Sequence, residues 1–225
     1  MCGRFSQGEP SHSISDYFGA YPDDDLPSGM YNVPPTEAIR IIVNREEDRR
    51  LAAATWGFRP FWIDPDGSRR WINARSETAL ASPAFGPALK SHRCVIPADA
   101  FYEWDRTTSP RQPYAIGPAA DGEMLALAGI WSGSRDAPPT AAILTTSPNA
   151  LLSGLHHRMP VILDRDLLDA WLDPATEVAY LEPMLAPAPA ESLRIWPVST
   201  AVNRVTNDGA HLLNPVELPV TLGLV

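Results

Sequence analysis

Leu125-Ala126-Leu127-Ala128-Gly129-Ile130-Trp131 runs seven residues without a polar side chain. A half-buried strand alternates apolar with polar residues, and a surface helix repeats its apolar positions every three to four. An unbroken apolar run this short fits a strand covered on both faces. Similar β-type runs lie at Ala38–Val43, Leu51–Trp56, Arg93–Pro97, Tyr114–Ile116, Ala141–Thr145 and Leu193–Pro197. The 24 prolines interrupt most windows that could form a long helix. Helical windows are therefore few and short: Ser11–Phe18, Glu77–Ser82, Asp164–Leu172 and Glu177–Leu185. In the third, Asp164 is placed as an N-cap, and Leu167, Leu168, Trp171 and Leu172 form one apolar face. Tyr21–Gly29, with three consecutive aspartates, reads as a surface loop. The fold class expected is α+β, mostly β, with a curved, barrel-like antiparallel or mixed sheet core and a few short helices. The 225 residues suit a single domain over residues 1–225.

No apolar run reaches the roughly 18 residues of a membrane span. The opening residues lack the apolar core of a signal peptide. A reducing cytoplasm is the expected location, with Cys2 and Cys94 as free thiols. Two cysteines and five histidines suggest no zinc site, and no cofactor or metal is expected. The net charge of −9 argues against non-specific duplex binding and leaves room for a local basic cleft. Of the 18 basic residues, all but Lys90 are arginine. That bias fits either a GC-rich coding sequence or bidentate phosphate binding.

Cys2 directly follows the initiator methionine. Removal of Met1 is expected before so small a residue, and it leaves a free α-amine beside a thiol. The amine, with an ordinary pKa near 8, is partly neutral at pH 7, and the thiol, near 8.5, is partly ionised. An amine condenses with an aldehyde to a Schiff base, and a thiol two carbons away can close on the same carbon as a five-membered thiazolidine. Position alone also fits a cysteine buried as a small apolar residue.

Several ordered blocks extend the pattern. Met1-Cys2-Gly3-Arg4-Phe5 is followed by Tyr31-Asn32-Val33-Pro34-Pro35, the tryptophan-glycine block Trp56–Trp62, and Asn73-Ala74-Arg75-Ser76-Glu77-Thr78. Then come Arg93–Trp104, ending in Phe101-Tyr102-Glu103-Trp104, Ala128–Trp131, His156–Leu163 and Pro197–Asp208. In this order the blocks resemble the SOS response-associated peptidase family of abasic-site-processing proteins. Pro34 stands where that family has alanine, and Ala100 where it has glycine.

The resemblance implies a single-domain α+β fold and covalent capture of abasic sites in single-stranded DNA. The implied catalytic set is Cys2, Asn73, Glu103 and His156. Glu103 would move protons, since a carboxylate among aromatics has a raised pKa; from its residues alone it fits an exposed strand end equally. His156 would protonate the sugar ring oxygen, and the motif selects it over His157, which spacing cannot do. Asn73 would orient the chain start or the opened sugar; a helix N-cap is the competing use. Arg4, Arg75 and Arg158 are the candidate phosphate contacts, and Trp56 and Trp104 the candidate DNA-facing aromatics. Arg69 and Arg70 read as a solvated turn, and Cys94 as a buried structural thiol. The partner expected is single-stranded DNA with abasic sites, bound by a monomer that follows the DNA into the nucleoid. Weak lyase and self-processing peptidase activities belong to the same expectation. Two rival readings are a cysteine peptidase or N-terminal-nucleophile hydrolase, and a non-enzymatic single-strand-binding module.

Overall fold

A computed structural model describes residues 2–45, 48–60, 69–134 and 137–218. Met1, Phe61 and Trp62 lie outside them, so the expected loss of Met1 and the end of the tryptophan-glycine block are not addressed by the fold.

Thirteen strands follow in chain order: β1 (Phe5–Gln7), β2 (Tyr21–Pro22), β3 (Met30–Val33), β4 (Ala38–Arg45), β5 (Asp48–Trp56), β6 (Asn73–Arg75), β7 (Arg93–Ala98), β8 (Ala100–Asp105), β9 (Gln112–Pro118), β10 (Leu125–Ser134), β11 (Ala137–Thr146), β12 (Met159–Pro160) and β13 (Leu193–Pro197). Five short α-helices accompany them: α1 (Ser11–Phe18), α2 (Ser76–Ala79), α3 (Gly86–Ser91), α4 (Leu168–Leu172) and α5 (Val178–Leu181). One sheet runs β13-β9-β8-β1-β3. The other runs β12-β11-β10-β7-β4-β5-β2, and a parallel pairing of Thr140 with Thr55 and Ala141 with Trp56 joins β11 back to β5. Five strands therefore close into a mixed barrel, the curved core anticipated from the apolar runs. Short β6 pairs in parallel with β11, Asn73 opposite Ile143.

Alternation along the barrel strands explains why they are apolar throughout. In β4, Ile39, Ile41 and Val43 enter a core shared with the five-stranded sheet, while Ile42 enters a second core under α1, α3 and α4. In β10, Leu125 and Leu127 take the first side, and Ala126, Ala128 and Ile130 the second. Each face is covered, which favours apolar residues on both; the buried exception in β4, Arg40, donates to Gln7 Oε1 and the Glu9 carbonyl. Gly129 sits where β10 faces β7: a Cβ there would lie 2.8 Å from the Cys94 sulfur and 3.1 Å from Ile96 Cδ1. Cys94 is buried in that first core.

The helices are shorter than their sequence windows. Asp164 precedes a 3-10 turn, Arg165–Leu167, that leads into α4; its side chain makes no capping hydrogen bond. Leu168, Trp171 and Leu172 are buried as the apolar face requires, whereas Leu167 is not. The window at Glu177–Leu185 splits into α5 and a 3-10 turn at Glu182–Leu185, where Pro183 cannot donate to a continuing helix. The loop at residues 21–29 begins with a two-residue strand beside β5. Ala100 lies in regular β8, paired with Ser6, and Thr36 is the one non-glycine residue with positive φ among those described. Alanine in place of glycine at position 100 thus imposes no backbone strain.

Candidate active site

β1 lies between β8 and β3, antiparallel to β8, with Phe5 opposite Phe101. The Tyr102 N–H donates to the Arg4 carbonyl at 2.9 Å, which continues the register toward the chain start. Two residues further, the strand places Gly3 opposite Glu103 and brings Cys2 beside that carboxyl. Cys2 is buried, and its sulfur lies 3.8 Å from the Arg4 carbonyl oxygen. Burial pushes the thiol well above its ordinary range, and the negative charge of Glu103 pushes the same way. The sulfur is held as a neutral thiol.

Glu103 stands inside β8 rather than at an exposed end, and only 5% of its surface reaches solvent. Burial raises its carboxyl to about 7, where it can give or take a proton at neutral pH. Its Oε1 lies 3.9 Å from His156 Nδ1. His156 is buried too, and burial lowers its imidazole to about 4, against the opposing backbone contact with Arg158. Nδ1 sits 3.0 Å from both the nitrogen and the oxygen of Arg158. As an acceptor it takes the Arg158 N–H; with the other tautomer it donates to the carbonyl. The His157 ring stacks on it at 4.4 Å, but His157 itself is exposed. The imidazole that faces the carboxyl is that of His156.

Asn73 arrives from the other sheet. It opens β6, and helix α2 starts only at Ser76 with Arg75 in the capping position and no side-chain cap. The N-cap alternative is excluded by this geometry. Instead, Asn73 Nδ2 donates to the Cys2 carbonyl at 2.8 Å, fastening the chain start to the barrel. Its Oδ1 is buried and has no hydrogen-bond partner among the described residues. A buried acceptor left unpaired costs about 1–3 kcal/mol, so Oδ1 is open to a further donor.

The candidate DNA contacts are distributed differently from the sequence expectation. Trp56 is fully buried, packs edge-on against Phe5 at 4.9 Å and donates its Nε1–H to the Ile72 carbonyl. It has no face to offer a base, which corrects its assignment as DNA-facing: its position on a barrel strand points it into the core. Trp104 is half-buried and bonds Asn203 Oδ1 through Nε1 at 2.6 Å. The Arg4 guanidinium lies 5.8 Å above the Trp104 ring and donates to Asn32 Oδ1 and the Val202 carbonyl. Arg158 makes a bidentate pair with Glu77, at 2.6 and 2.8 Å, and also bonds the Thr145 carbonyl. Both arginines hold the framework together through these bonds. Arg75 is exposed, and its charge helps keep the Glu77 carboxyl low, behind the larger effect of the Arg158 hydrogen bond.

Asn32 is a structural member that the sequence did not single out. It is fully buried, and its amide donates to the carbonyls of Val202, Arg204 and Asn207. No spacing rule identifies such a hub, because its partners lie in a distant loop. Among the described residues no cluster of three or more His, Cys, Asp or Glu could hold a metal, and no helix is long and apolar enough to cross a membrane.

A buried carboxyl near neutrality, a neutral imidazole and a neutral thiol are thus gathered where two sheets meet. The model of the SOS response associated peptidase (SRAP) family matches residues 1–205, and the chain belongs to that family. It is 38% identical over 224 residues to abasic site processing protein YoaM of Bacillus subtilis, covering 95% of this chain and 98% of that protein. It is 32% identical to YedK of Escherichia coli, covering 96% and 100%, and 35% identical to HMCES of Gallus gallus, covering 84% and 67%; both carry the same descriptive name. A crystal structure of a Bacteroides thetaiotaomicron protein superposes with a TM-score of 0.83 at 22% identity, covering 96% of this chain and all of that one. A phage-related Bordetella bronchiseptica protein gives 0.72 at 28% identity, covering 88% and 94%.

Proposed function

We propose that this chain processes abasic sites in single-stranded DNA by capturing the lesion aldehyde on Cys2, after Met1 has been removed. The observation that carries the reading is the union of Cys2, Glu103 and Asn73: a nucleophile beside a carboxyl of pKa about 7, its own carbonyl fixed by a side-chain amide. The shared name of the three relatives supports the substrate.

The chemistry follows from the protonation states. His156 offers an N–H near the sugar as the ring opens to its aldehyde. The Cys2 amine adds to C1′, and the resulting carbinolamine loses water when Glu103, as the acid, protonates the leaving hydroxyl. The iminium carbon is then electrophilic enough for a thiol. The Cys2 S–H proton passes to the Glu103 carboxylate, the S–C1′ bond forms, and the iminium becomes the ring amine. One water is released overall. The Asn73 Oδ1 accepts from the Cys2 amine or an opened-sugar hydroxyl. Departure of the 3′-phosphate by β-elimination from the iminium is the competing lyase route.

A cysteine peptidase works through a thiolate beside an imidazolium. Here burial drives the thiol up and the imidazole down, which leaves both neutral and favours addition to an imine. The test is incubation with a single-stranded oligonucleotide carrying one abasic site. The expected product is a heat-resistant, gel-shifted adduct of the Cys2-initiated protein, absent with Cys2→Ser. An adduct undiminished in Cys2→Ser would refute the proposal.

A further inference from the structure

Beyond the Cys2 site, a cavity of about 120 Å³ opens between β5, β10 and β11, lined by Thr55, Arg59, Arg70, Ser132 and Thr140 among others. An isolated antiparallel bridge pairs Phe58 with Trp71, with both backbone hydrogen bonds formed, at 2.8 and 3.1 Å. The register therefore sets Arg59 directly opposite Arg70. Like charges at facing positions destabilise a strand pair, so an anion between them would be stabilising. Among the described residues no carboxylate lines the cavity, and neither guanidinium forms an ion pair with one of them. Five other arginines do pair with carboxylates in this acidic chain.

The floor of the cavity carries a second, independent signal. The Ser132 hydroxyl is buried, Ser132 being 1% exposed, and has no hydrogen-bond partner among the described residues. Its neighbour Thr140 is satisfied: Thr140 Oγ1 accepts the Arg59 N–H at 3.0 Å and donates to the Ser132 carbonyl at 3.3 Å. That bond fixes the Arg59 backbone at the rim, while the Arg70 stem lies against Gly57, where a Cβ would approach it to 3.5 Å. Two guanidiniums without a carboxylate partner among the described residues, lining one cavity with a hydroxyl, match a tetrahedral oxyanion, since arginine forks bind phosphate oxygens in pairs.

We propose that Arg59, Arg70 and Ser132 form a phosphate-binding pocket. Arg70 stands three residues before Asn73 in the chain. Assigning its occupant as a phosphodiester of the bound strand rests on the abasic-DNA reading; a free phosphate has the same chemistry. Arg70, read with Arg69 as a solvated turn, is on this proposal one half of a clamp whose other half is Arg59.

Two measurements without any aldehyde test the pocket. The first is the salt dependence of binding to a lesion-free single-stranded oligonucleotide. Arg70→Gln is expected to weaken binding about tenfold and to flatten the slope of log affinity against log salt by about 0.7, one phosphate contact. Arg59→Gln together with Arg70→Gln should flatten it by about twice that, and Arg70→Lys should keep most of the slope. The second is protection against thermal unfolding by inorganic phosphate. It should be seen with the native chain, be lost in the double glutamine variant, and weaken in Ser132→Ala, whose own melting temperature should not fall because the hydroxyl has no partner to lose. A changed DNA slope supports the strand as occupant; phosphate protection with an unchanged slope supports the pocket with free phosphate as its ligand. Glutamine variants that match the native chain in both measurements overturn the proposal. Because neither probe holds an aldehyde, failure of Cys2 chemistry leaves both readouts intact.

Discussion

Replacing Glu103 with glutamine should make the protein more stable in alkali and less able to react. The carboxyl sits at about 7 in the fold, against an ordinary 4.5. Below about pH 4.5 it is protonated in both the folded and unfolded chain and costs nothing. As pH rises the unfolded chain ionises first, so the native fold loses stability until the pH passes about 7, where the loss is complete. A gap of about 2.5, at about 1.4 kcal/mol for each, makes the full penalty about 3 kcal/mol. Glutamine keeps the shape and never ionises. Its advantage over the native chain should grow from about 1 kcal/mol at pH 5 to about 3 kcal/mol at pH 8.5. Urea unfolding of both proteins across that range measures the difference directly, since every other titrating group is common to both. In melting temperature the upper figure corresponds to about 6–12 °C for a domain of this size. A difference that does not change with pH, or a variant less stable at pH 8.5, would show that the carboxyl is not held protonated by burial. The same variant should yield little abasic-site adduct, because the proton carrier is gone.

Two substitutions separate core from surface. Trp56→Ala is expected to cost about 3–5 kcal/mol in urea unfolding, since its ring packs on Phe5 inside the first core; Trp104→Ala should cost substantially less, and comparable losses would contradict the assignment of Trp104 to the rim. Gly129→Ala pushes a methyl to within 2.8 Å of the Cys94 sulfur and should cost about 1–3 kcal/mol by overpacking, which an unchanged thermal unfolding midpoint would disprove.

The barrel strands were readable because both of their faces are covered, whereas β13, an edge strand with one buried residue, was readable from its β-type residues alone. Leu193–Pro197 forms a strand over the range read from sequence, and Leu125–Trp131 lies within β10. Strands such as β1, β3 and β6 were not readable: they have three or four residues each, too few to establish a period, and they exist because neighbours hold them. Asn73 shows the consequence. Its local context suits a helix cap, but pairing with β11 keeps it extended and frees its amide for Cys2. Trp56 erred in the opposite sense: grouped with the aromatics near the site, it reads as a stacking surface until strand alternation turns it inward. The four proposed catalytic residues were reachable only through ordered motifs, since residues 2, 73, 103 and 156 have no spacing that elementary geometry connects. Arg59 and Arg70 escaped because their opposition depends on a single bridge between Phe58 and Trp71.

The parallel seam between β5 and β11 also joins the two borders of the barrel sheet. It is a contact of large sequence separation, and such contacts slow folding because the loop entropy must be met first. Until Thr55 meets Thr140, the barrel is an open ribbon with two adhesive borders. The strand that closes it also carries β6, and hence the amide that anchors the chain start. The Asn73 anchor of the chain start therefore depends on the same strand that closes the barrel.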